Sequence, residues 1–350
     1  MTYLLKRARS GWVVALVVVL AFGSGCSVAS PKPSPAASRA AAGRAIRGSV
    51  VATVRLPDYG NDVAIGADGR AYVTVASNKV VIVDTAAAKI AATVDVDGEP
   101  YALAVTPDGR RAYAVDLRGA EVAVVDTAHA KQKSRIPLGT MRPPSQRPSA
   151  VISADGQRVF VGQSGRDHLV VIRTDADQIE KDLFLDFHPV DVAVSSDGRF
   201  VFVVGCRLAC VDGTLLIVET QGFSTVRRIE LPSVPTGMVV TPNGRRAYVA
   251  NGRDGTVSSI DLVTQQPLAT IQVGPEPGGI AIDAAGTAVY VTSFTTGRLS
   301  AIATATNSVV ATTKVGAKPR AVVVSRDDRR AFVTHATNTL SIVDLSGFGR

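Results

Sequence analysis

Short apolar runs separated by turn residues recur along most of this chain, with a period of about 42 residues. One aromatic residue marks each period, and successive aromatics lie 41, 47, 42, 46, 42 and 42 residues apart. They are Tyr72, Tyr113, Phe160, Phe202, Tyr248, Tyr290 and Phe332. A fixed period of this length is typical of solenoids and propellers, so the repeat is the first guide to the fold.

Each period contains the same four hydrophobic segments. A run such as residues 102–105 follows a proline and predicts a buried first strand. An Asp-Gly or Asn-Gly turn, as at Asp108-Gly109, indicates a hairpin into the strand that carries the aromatic. A third apolar strand and an alternating fourth, such as residues 91–94, complete a four-stranded unit.

The seventh period ends near Leu345 without a fourth strand, whereas residues 50–54 form an alternating strand without a unit. We therefore expect the N-terminal strand, at about residues 48–57, to complete the last unit. The predicted fold is all-β, a seven-bladed β-propeller with four antiparallel strands per blade, in one domain over residues 48–346. Such closure leaves only short, protected strand edges.

Two segments carry a resemblance to a known repeat. Residues 242–251, Pro-Asn-Gly-Arg-Arg-Ala-Tyr-Val-Ala-Asn, and residues 71–75, Ala-Tyr-Val-Thr-Val, resemble the YVTN-type (YncE-like, surface-layer-like) propeller repeat. The resemblance covers all seven units and implies a bacterial envelope or surface-layer protein. Its fold is similar to those of lactonase-type and amine-dehydrogenase-type propellers. A repeat of this kind specifies fold strongly and function weakly.

The N-terminus has the pattern of an export signal. Three cations precede an apolar run over residues 12–22, which is too short to span a bilayer. Gly-Ser-Gly-Cys, ending at Cys26, resembles the lipobox of bacterial lipoproteins, although Gly23 stands where an aliphatic residue is usual. These features predict a signal peptide over residues 1–25 and an exported protein anchored by lipid at Cys26 to the outer side of the cytoplasmic membrane.

The alternative is ordinary cleavage after Ala29 or Ser30, which would release a secreted soluble protein. Residues 26–47 are rich in Ala, Ser and Pro without hydrophobic periodicity, and we expect a flexible tether there. The formal net charge of +8 includes three cations in the leader and four in this tether, with no acidic residue in either, so +1 remains for residues 48–350. A nearly neutral domain makes nucleic acid an unlikely partner.

The connections from fourth to first strands and from second to third strands share one face of a propeller, which we call the upper face. Both irregularities of the period fall there, at residues 139–148 and 205–213. Insertions on one face often mark a binding face. The polar candidates of this sector are Arg142, Arg147, Arg166, Asp167, His168, Asp186, His188, Asp191 and Arg207. The alternative is ordinary polar loops with no shared geometry.

Cys206 and Cys210 lie four residues apart in the enlarged hairpin and predict a disulfide in an oxidising compartment. That pairing leaves Cys26 for lipid. A metal site built from these thiols with His168 or His188 is the alternative, but the second cysteine pair typical of structural zinc is missing from the sequence.

Asp62 and Asp191 interrupt a series of small residues near the starts of the first strands, where the strands line the central channel. Two carboxylates facing each other suggest a channel cation, with two solvated acids in a wet pore as the alternative. No other cofactor is predicted.

The sequence lacks the common motifs of hydrolases, nucleotide-binding enzymes, zinc proteases and haem proteins. It therefore favours a monomeric binding or scaffolding propeller that takes a protein, a polysaccharide or a small ligand on the upper face. The alternative is a lactonase-like hydrolase. For that activity, the resemblance to lactonase-type propellers places His188, Asp191, His335 and Arg320 at the channel mouth.

Replacing Cys26 with Ser tests the anchor. We expect the variant to leave the membrane fraction and become soluble, because the lipid is attached through the thiol. Fractionation of cells followed by immunoblotting measures this, and a variant that stays in the membrane fraction contradicts the lipoprotein prediction.

Overall fold

The computed structural model describes residues 48–118, 120–139, 147–207 and 212–348. These residues contain 28 strands and no helix. The predicted leader, the tether and the anchor residue Cys26 lie outside the described residues. Among the described residues, no helix has the length and apolar character needed to cross a membrane.

The strands group into seven antiparallel sheets of four, each running from an inner to an outer strand. The first half of the chain contains β1 (Ser49–Arg55), β2 (Gly60–Ile65), β3 (Ala71–Val75), β4 (Lys79–Asp84), β5 (Lys89–Asp95), β6 (Pro100–Val105), β7 (Arg111–Asp116), β8 (Glu121–Asp126), β9 (Lys131–Pro137), β10 (Ser149–Ile152), β11 (Arg158–Gln163), β12 (His168–Arg173), β13 (Gln178–Phe184) and β14 (His188–Val194). The second half contains β15 (Phe200–Cys206), β16 (Gly213–Glu219), β17 (Thr225–Leu231), β18 (Pro235–Val240), β19 (Arg246–Asn251), β20 (Thr256–Asp261), β21 (Pro267–Gln272), β22 (Pro277–Ile282), β23 (Ala288–Ser293), β24 (Arg298–Ala303), β25 (Ser308–Lys314), β26 (Pro319–Val324), β27 (Arg330–His335) and β28 (Thr339–Asp344).

Strand β1 closes the ring, as the sequence predicts. Blades 1 to 6 each use four consecutive strands starting at β2, and blade 7 is built in the order β26, β27, β28, β1. Val54 of β1 pairs with Leu340 of β28, and Ser49 pairs with Asp344. The seven-bladed, all-β prediction is therefore confirmed, including the completion of the last blade by the N-terminal strand.

The hydrophobic core is divided into seven clusters, one between each pair of neighbouring blades. Between blades 1 and 2, for example, Tyr72 and Ile82 pack with Leu103 and Ala112. All seven repeat aromatics are at most 2% exposed. Burying side chains of this size contributes roughly 1.5–3 kcal/mol each, which explains why an aromatic recurs in every blade.

Polar contacts also join neighbouring blades. The hydroxyl of Tyr113 donates to Asp177 of the next blade at 2.7 Å, and that of Tyr248 donates to Asn307 at 2.8 Å. Arginines at the start of second strands donate to carbonyl oxygens of the following blade, as Arg246 does to Thr304 at 2.8 Å. Arg111 and Arg330 make the same kind of contact. Arg111, Arg246 and Arg330 therefore each join two neighbouring blades.

The first strands are less buried than the sequence suggests. We expected their apolar runs to be buried, but Ala64, Val194 and Val323 keep part of their accessible surface. The inner edge of each blade borders the channel instead of another sheet, which explains the difference. Blades 6 and 7 approach closely here, since a Cβ on Gly279 would lie 2.4 Å from the carbonyl oxygen of Arg320.

Gly279→Ala tests this close approach. The added methyl meets only backbone atoms of blade 7, which cannot move aside easily. We expect a loss of about 1–3 kcal/mol in the free energy of unfolding, measured by urea denaturation. Gly222→Ala is the control, because a Cβ there meets nothing within 4 Å, and it should change stability by less than about 0.5 kcal/mol. Equal effects of the two substitutions would contradict the proposed steric constraint.

Candidate functional site

Six of the seven first strands, all except β10, begin at the upper face with a β-bulge. In β2 the pairing register with β3 skips Asn61, and in β6 the register with β7 skips Tyr101. In β26 the skipped positions include Arg320. A bulge leaves one residue outside the ladder and redirects its side chain. The bulges thus free side chains of blades 7, 1 and 2 from their ladders at the channel mouth.

Arg320 is the centre of this group. Its Nη1 donates to Oδ1 of Asn61, and its guanidinium lies 5.0 Å from the ring centroid of Tyr59. Asn61 in turn donates from Nδ2 to the carbonyl oxygen of Pro100 in blade 2, at 3.0 Å. Arg320 Nε is buried and has no hydrogen-bond partner among the described residues. Three blades therefore fix the position of this cation while one of its donors stays unused.

Arg147 enters the same site from the connection that leads into blade 3. Its guanidinium lies 5.4 Å from the ring centroid of Tyr101. Burial raises the pKa of the Tyr101 hydroxyl, and the charges of Arg147 and Arg320 oppose that rise. Burial also lowers the pKa of Arg320, and the like charge of Arg147 contributes to that lowering. The two arginines are thus close enough to repel each other. We call Tyr59, Asn61, Tyr101, Arg147 and Arg320 the mouth cluster.

Asp62 and Asp191 lie one position beyond the bulges of blades 1 and 4. Asp62 accepts from its neighbour Val63 N at 2.8 Å and from Leu103 N of blade 2 at 2.9 Å. Asp191 repeats the arrangement with Val192 N and with Met238 N of blade 5. Each carboxylate thus links two inner strands.

Both aspartates keep part of their accessible surface, yet each carboxyl group is surrounded by protein. Burial raises the pKa of Asp62 to about 6 and that of Asp191 to about 7, although the backbone donors act in the opposite direction. The charge of Asp62 adds to the rise at Asp191. The two carboxyl groups therefore interact electrostatically in the channel.

The sector of blades 3 and 4 holds most of the predicted binding-face residues, and they pair with one another. His188 Nδ1 contacts Oδ1 of Asp167, whose backbone has a φ of 61°. His168 contacts Asp182, and Arg166 bonds the same carboxylate at 3.1 Å. In the same sector, Asp186 contacts Arg228 and lies 3.5 Å from Arg207. Arg142 lies outside the described residues.

His335 does not reach the channel mouth as the lactonase-like assignment supposed. It is completely buried, with Nδ1 3.1 Å from the carbonyl oxygen of Ala317 and Nε2 2.9 Å from Oγ of Ser341. Burial lowers the pKa of this histidine, which favours the neutral ring. The side chain therefore serves the contact between blades 6 and 7, and it is not available to a ligand.

Comparison with known proteins identifies the family of this chain. The model of the SMP-30/gluconolactonase/LRE-like region matches residues 103–337. This chain belongs to that family. Among solved structures, hydrazine synthase from Kuenenia stuttgartiensis is similar with a TM-score of 0.74 and 20% identity, over 83% of this chain and 96% of that chain. This likeness shows the propeller fold alone. Among curated proteins, none matches the chain.

For this SMP-30/gluconolactonase-like propeller, the channel cation stays a prediction that the geometry does not support. Divalent cations such as calcium take six or more oxygen ligands. In the described parts of the chain, no three His, Cys, Asp or Glu side chains are arranged to hold a metal ion. Cys206 is disulfide-bonded, so its thiolate is not available to a metal. Cys210, its predicted partner, lies outside the described residues.

Sequence reasoning named Arg147 and Arg320 but for different sites, and it missed Tyr59, Asn61 and Tyr101. The signal for Asn61 and Tyr101 was present, since each occupies the position before a channel-lining residue, Asp62 and Ala102 respectively. Aligning that position across all repeats would have placed Asn61, Tyr101 and Arg320 at equivalent sites. Tyr59 lies before β2 and has no such signal.

The channel carboxyls predict a pH dependence of stability. A carboxyl group whose pKa is higher in the folded state than its usual value of 3.8 gives its full stabilisation below pH 3.8. That stabilisation is lost as the pH rises through about 6 to 7, the folded-state pKa values of Asp62 and Asp191. Between pH 5 and 8 we therefore expect the ionisation of Asp191 to lower the free energy of unfolding by on the order of 2 kcal/mol.

Asp191→Asn should flatten this decline, because the amide cannot ionise. Urea denaturation at several pH values measures the slope, which is informative even if the amide loses one backbone bond at every pH. Asp254→Asn, at an exposed position, is the control and should keep the wild-type slope. An Asp191→Asn slope equal to that of the wild type would show that the channel carboxyl does not titrate as described.

Proposed function

We propose that this SMP-30/gluconolactonase-like propeller is a binding module that holds a small ligand at the mouth of its channel. The observation that carries the proposal is the convergence of the mouth cluster from blades 7, 1, 2 and 3. Arg320 has a buried Nε without a hydrogen-bond partner among the described residues, and Arg147 is exposed beside it. A buried donor left unpaired costs about 1–3 kcal/mol, which marks Arg320 as a residue not fully used by the fold.

The acid–base groups favour binding over catalysis. A general base must reach the proton that it removes, directly or through one water. His335 is buried with both ring nitrogens in contact with protein groups, Ala317 O and Ser341 Oγ. His168 is paired with Asp182, and both channel carboxylates accept backbone donors. These groups serve the fold, whereas the mouth cluster has unused donors.

A lactonase-like hydrolase is the second candidate, and family membership favours it because the family description includes gluconolactonase. His188 supplies the one chemical argument for it. Its Nδ1 contacts Asp167, and the two side chains are 31% and 32% exposed. A carboxylate that orients an accessible imidazole is a common arrangement for a general base.

The setting that we propose for the binding module is the outer side of the cytoplasmic membrane. The support is the sequence of the leader and the resemblance of Gly-Ser-Gly-Cys to a lipobox. In this proposal Cys26 carries the lipid, residues 26–47 span the distance to the domain, and the propeller acts as a monomer that presents its upper face.

Two measurements on the purified protein separate the candidates. Hydrogen exchange with and without glucono-δ-lactone, gluconate or lactate should slow in peptides containing Asn61, Tyr101 and Arg320, and stay unchanged in those containing His168 and His188. Lactone hydrolysis followed in a pH-stat should equal the buffer rate, because the proposed site lacks a free base.

Lactone turnover that is lost in His188→Ala, and kept in the exposed control His129→Ala, would favour the hydrolase and contradict the binding module. Protection restricted to blades 3 and 4, or absent with every probe, would contradict the mouth as the ligand site.

A further inference from the structure

The two arginines of the mouth cluster have no carboxylate partner in this protein. Fourteen ion pairs are formed among the described residues, and neither Arg147 nor Arg320 takes part in any of them. The segments outside the described residues contain no aspartate or glutamate. No acidic side chain therefore forms an ion pair with either arginine among the described residues.

Most of the described arginines that lack an ion pair are exposed to solvent, whereas Arg320 is partly buried. Two described arginines of the upper-face sector, Arg166 and Arg207, are each paired with an aspartate. Arg147 and Arg320 instead lie against the faces of Tyr101 and Tyr59. Stacking on rings orients the guanidinium groups while their charge stays uncompensated. Two like charges in a partly buried site repel each other, and an anion between them would remove that repulsion.

We propose that the mouth cluster binds the carboxylate of a small organic acid through Arg147 and Arg320. This inference rests on the proposed function and names the class of its ligand. The planar guanidinium donors match the two oxygens of a carboxylate.

The surroundings of the pair limit the charge and size of the ligand. Asp62 lies close enough for its charge to raise the pKa of Tyr101, so a second negative charge on the ligand meets repulsion there. The rings of Tyr59 and Tyr101 border the site and can pack against a short carbon chain. A singly charged organic acid fits this arrangement better than doubly charged phosphate does.

Isothermal titration calorimetry of the purified protein tests the inference with lactate and its uncharged analogue lactamide. We expect lactate to bind and lactamide not to bind at the same concentration. Arg320→Gln should weaken lactate binding about tenfold or more, as expected for the loss of a charge-assisted bond. Arg147→Gln should also weaken it, and Arg253→Gln, an exposed arginine of blade 5, should bind as the wild type does.

Thermal melting of each variant shows whether it is folded, and Arg320→Lys, which keeps the charge, should retain part of the affinity. Equal binding of lactate and lactamide, equal losses in Arg320→Gln and Arg253→Gln, or no binding of lactate would overturn the inference. Tighter binding of inorganic phosphate than of lactate would overturn the choice of a singly charged acid.

The outcomes also separate this inference from the proposed function. If a neutral lactone protects the mouth peptides from hydrogen exchange while lactate does not bind, the mouth is a ligand site without anion selectivity. If no probe protects the mouth peptides, both conclusions fail.

Discussion

The structure depends on one constraint, which is that every four-stranded sheet covers its two faces with the sheets on either side. The seven hydrophobic clusters all lie between blades, so no blade has a core of its own. The ring must therefore close, and the pairing of β1 with β28 closes it with backbone hydrogen bonds. Without this pairing, blade 7 would lack its outer strand.

A closed ring of sheets leaves a channel, and the chemistry of the molecule follows from how that channel is lined. Small residues and glycines let the inner strands approach, as the contact of Gly279 with blade 7 shows. Bulges at the strand starts free longer side chains from the ladders at the mouth. The channel carboxylates of Asp62 and Asp191 instead bond to the backbone of their neighbours. The family shares the fold, while these particular side chains define the candidate site.

The fold could be predicted from the sequence because its information is local and repeated. An aromatic residue marks each of the seven blades, and hairpin turns and prolines recur with it. The seventh unit ends near Leu345 without a fourth strand, and the extra strand at residues 50–54 supplies it, which predicts the closure. The site could not be predicted to the same extent, because it depends on contacts between distant repeats. Arg320 and Asn61 are 259 residues apart and meet only in the closed ring.

Where the predicted site residues lie in the structure also depends on contacts between blades. His335 and Arg320 both stand near the starts or ends of strands in blade 7, and the sequence treats them alike. The structure buries His335 between two blades and leaves a donor of Arg320 unused. In blades 3 and 4, Asp167 and His188 contact each other.

The central claim is that the unpaired arginines of the mouth cluster form an anion site. Diffraction from crystals soaked in 5-bromo-2-furoate, whose ring-bound bromine is not displaced by protein nucleophiles, tests it most directly when recorded at the bromine edge. The account predicts an anomalous bromine peak beside Arg147 and Arg320 that is lost in crystals of Arg320→Gln. Bromine peaks only elsewhere on the protein, or a mouth peak that persists in the variant, would contradict it.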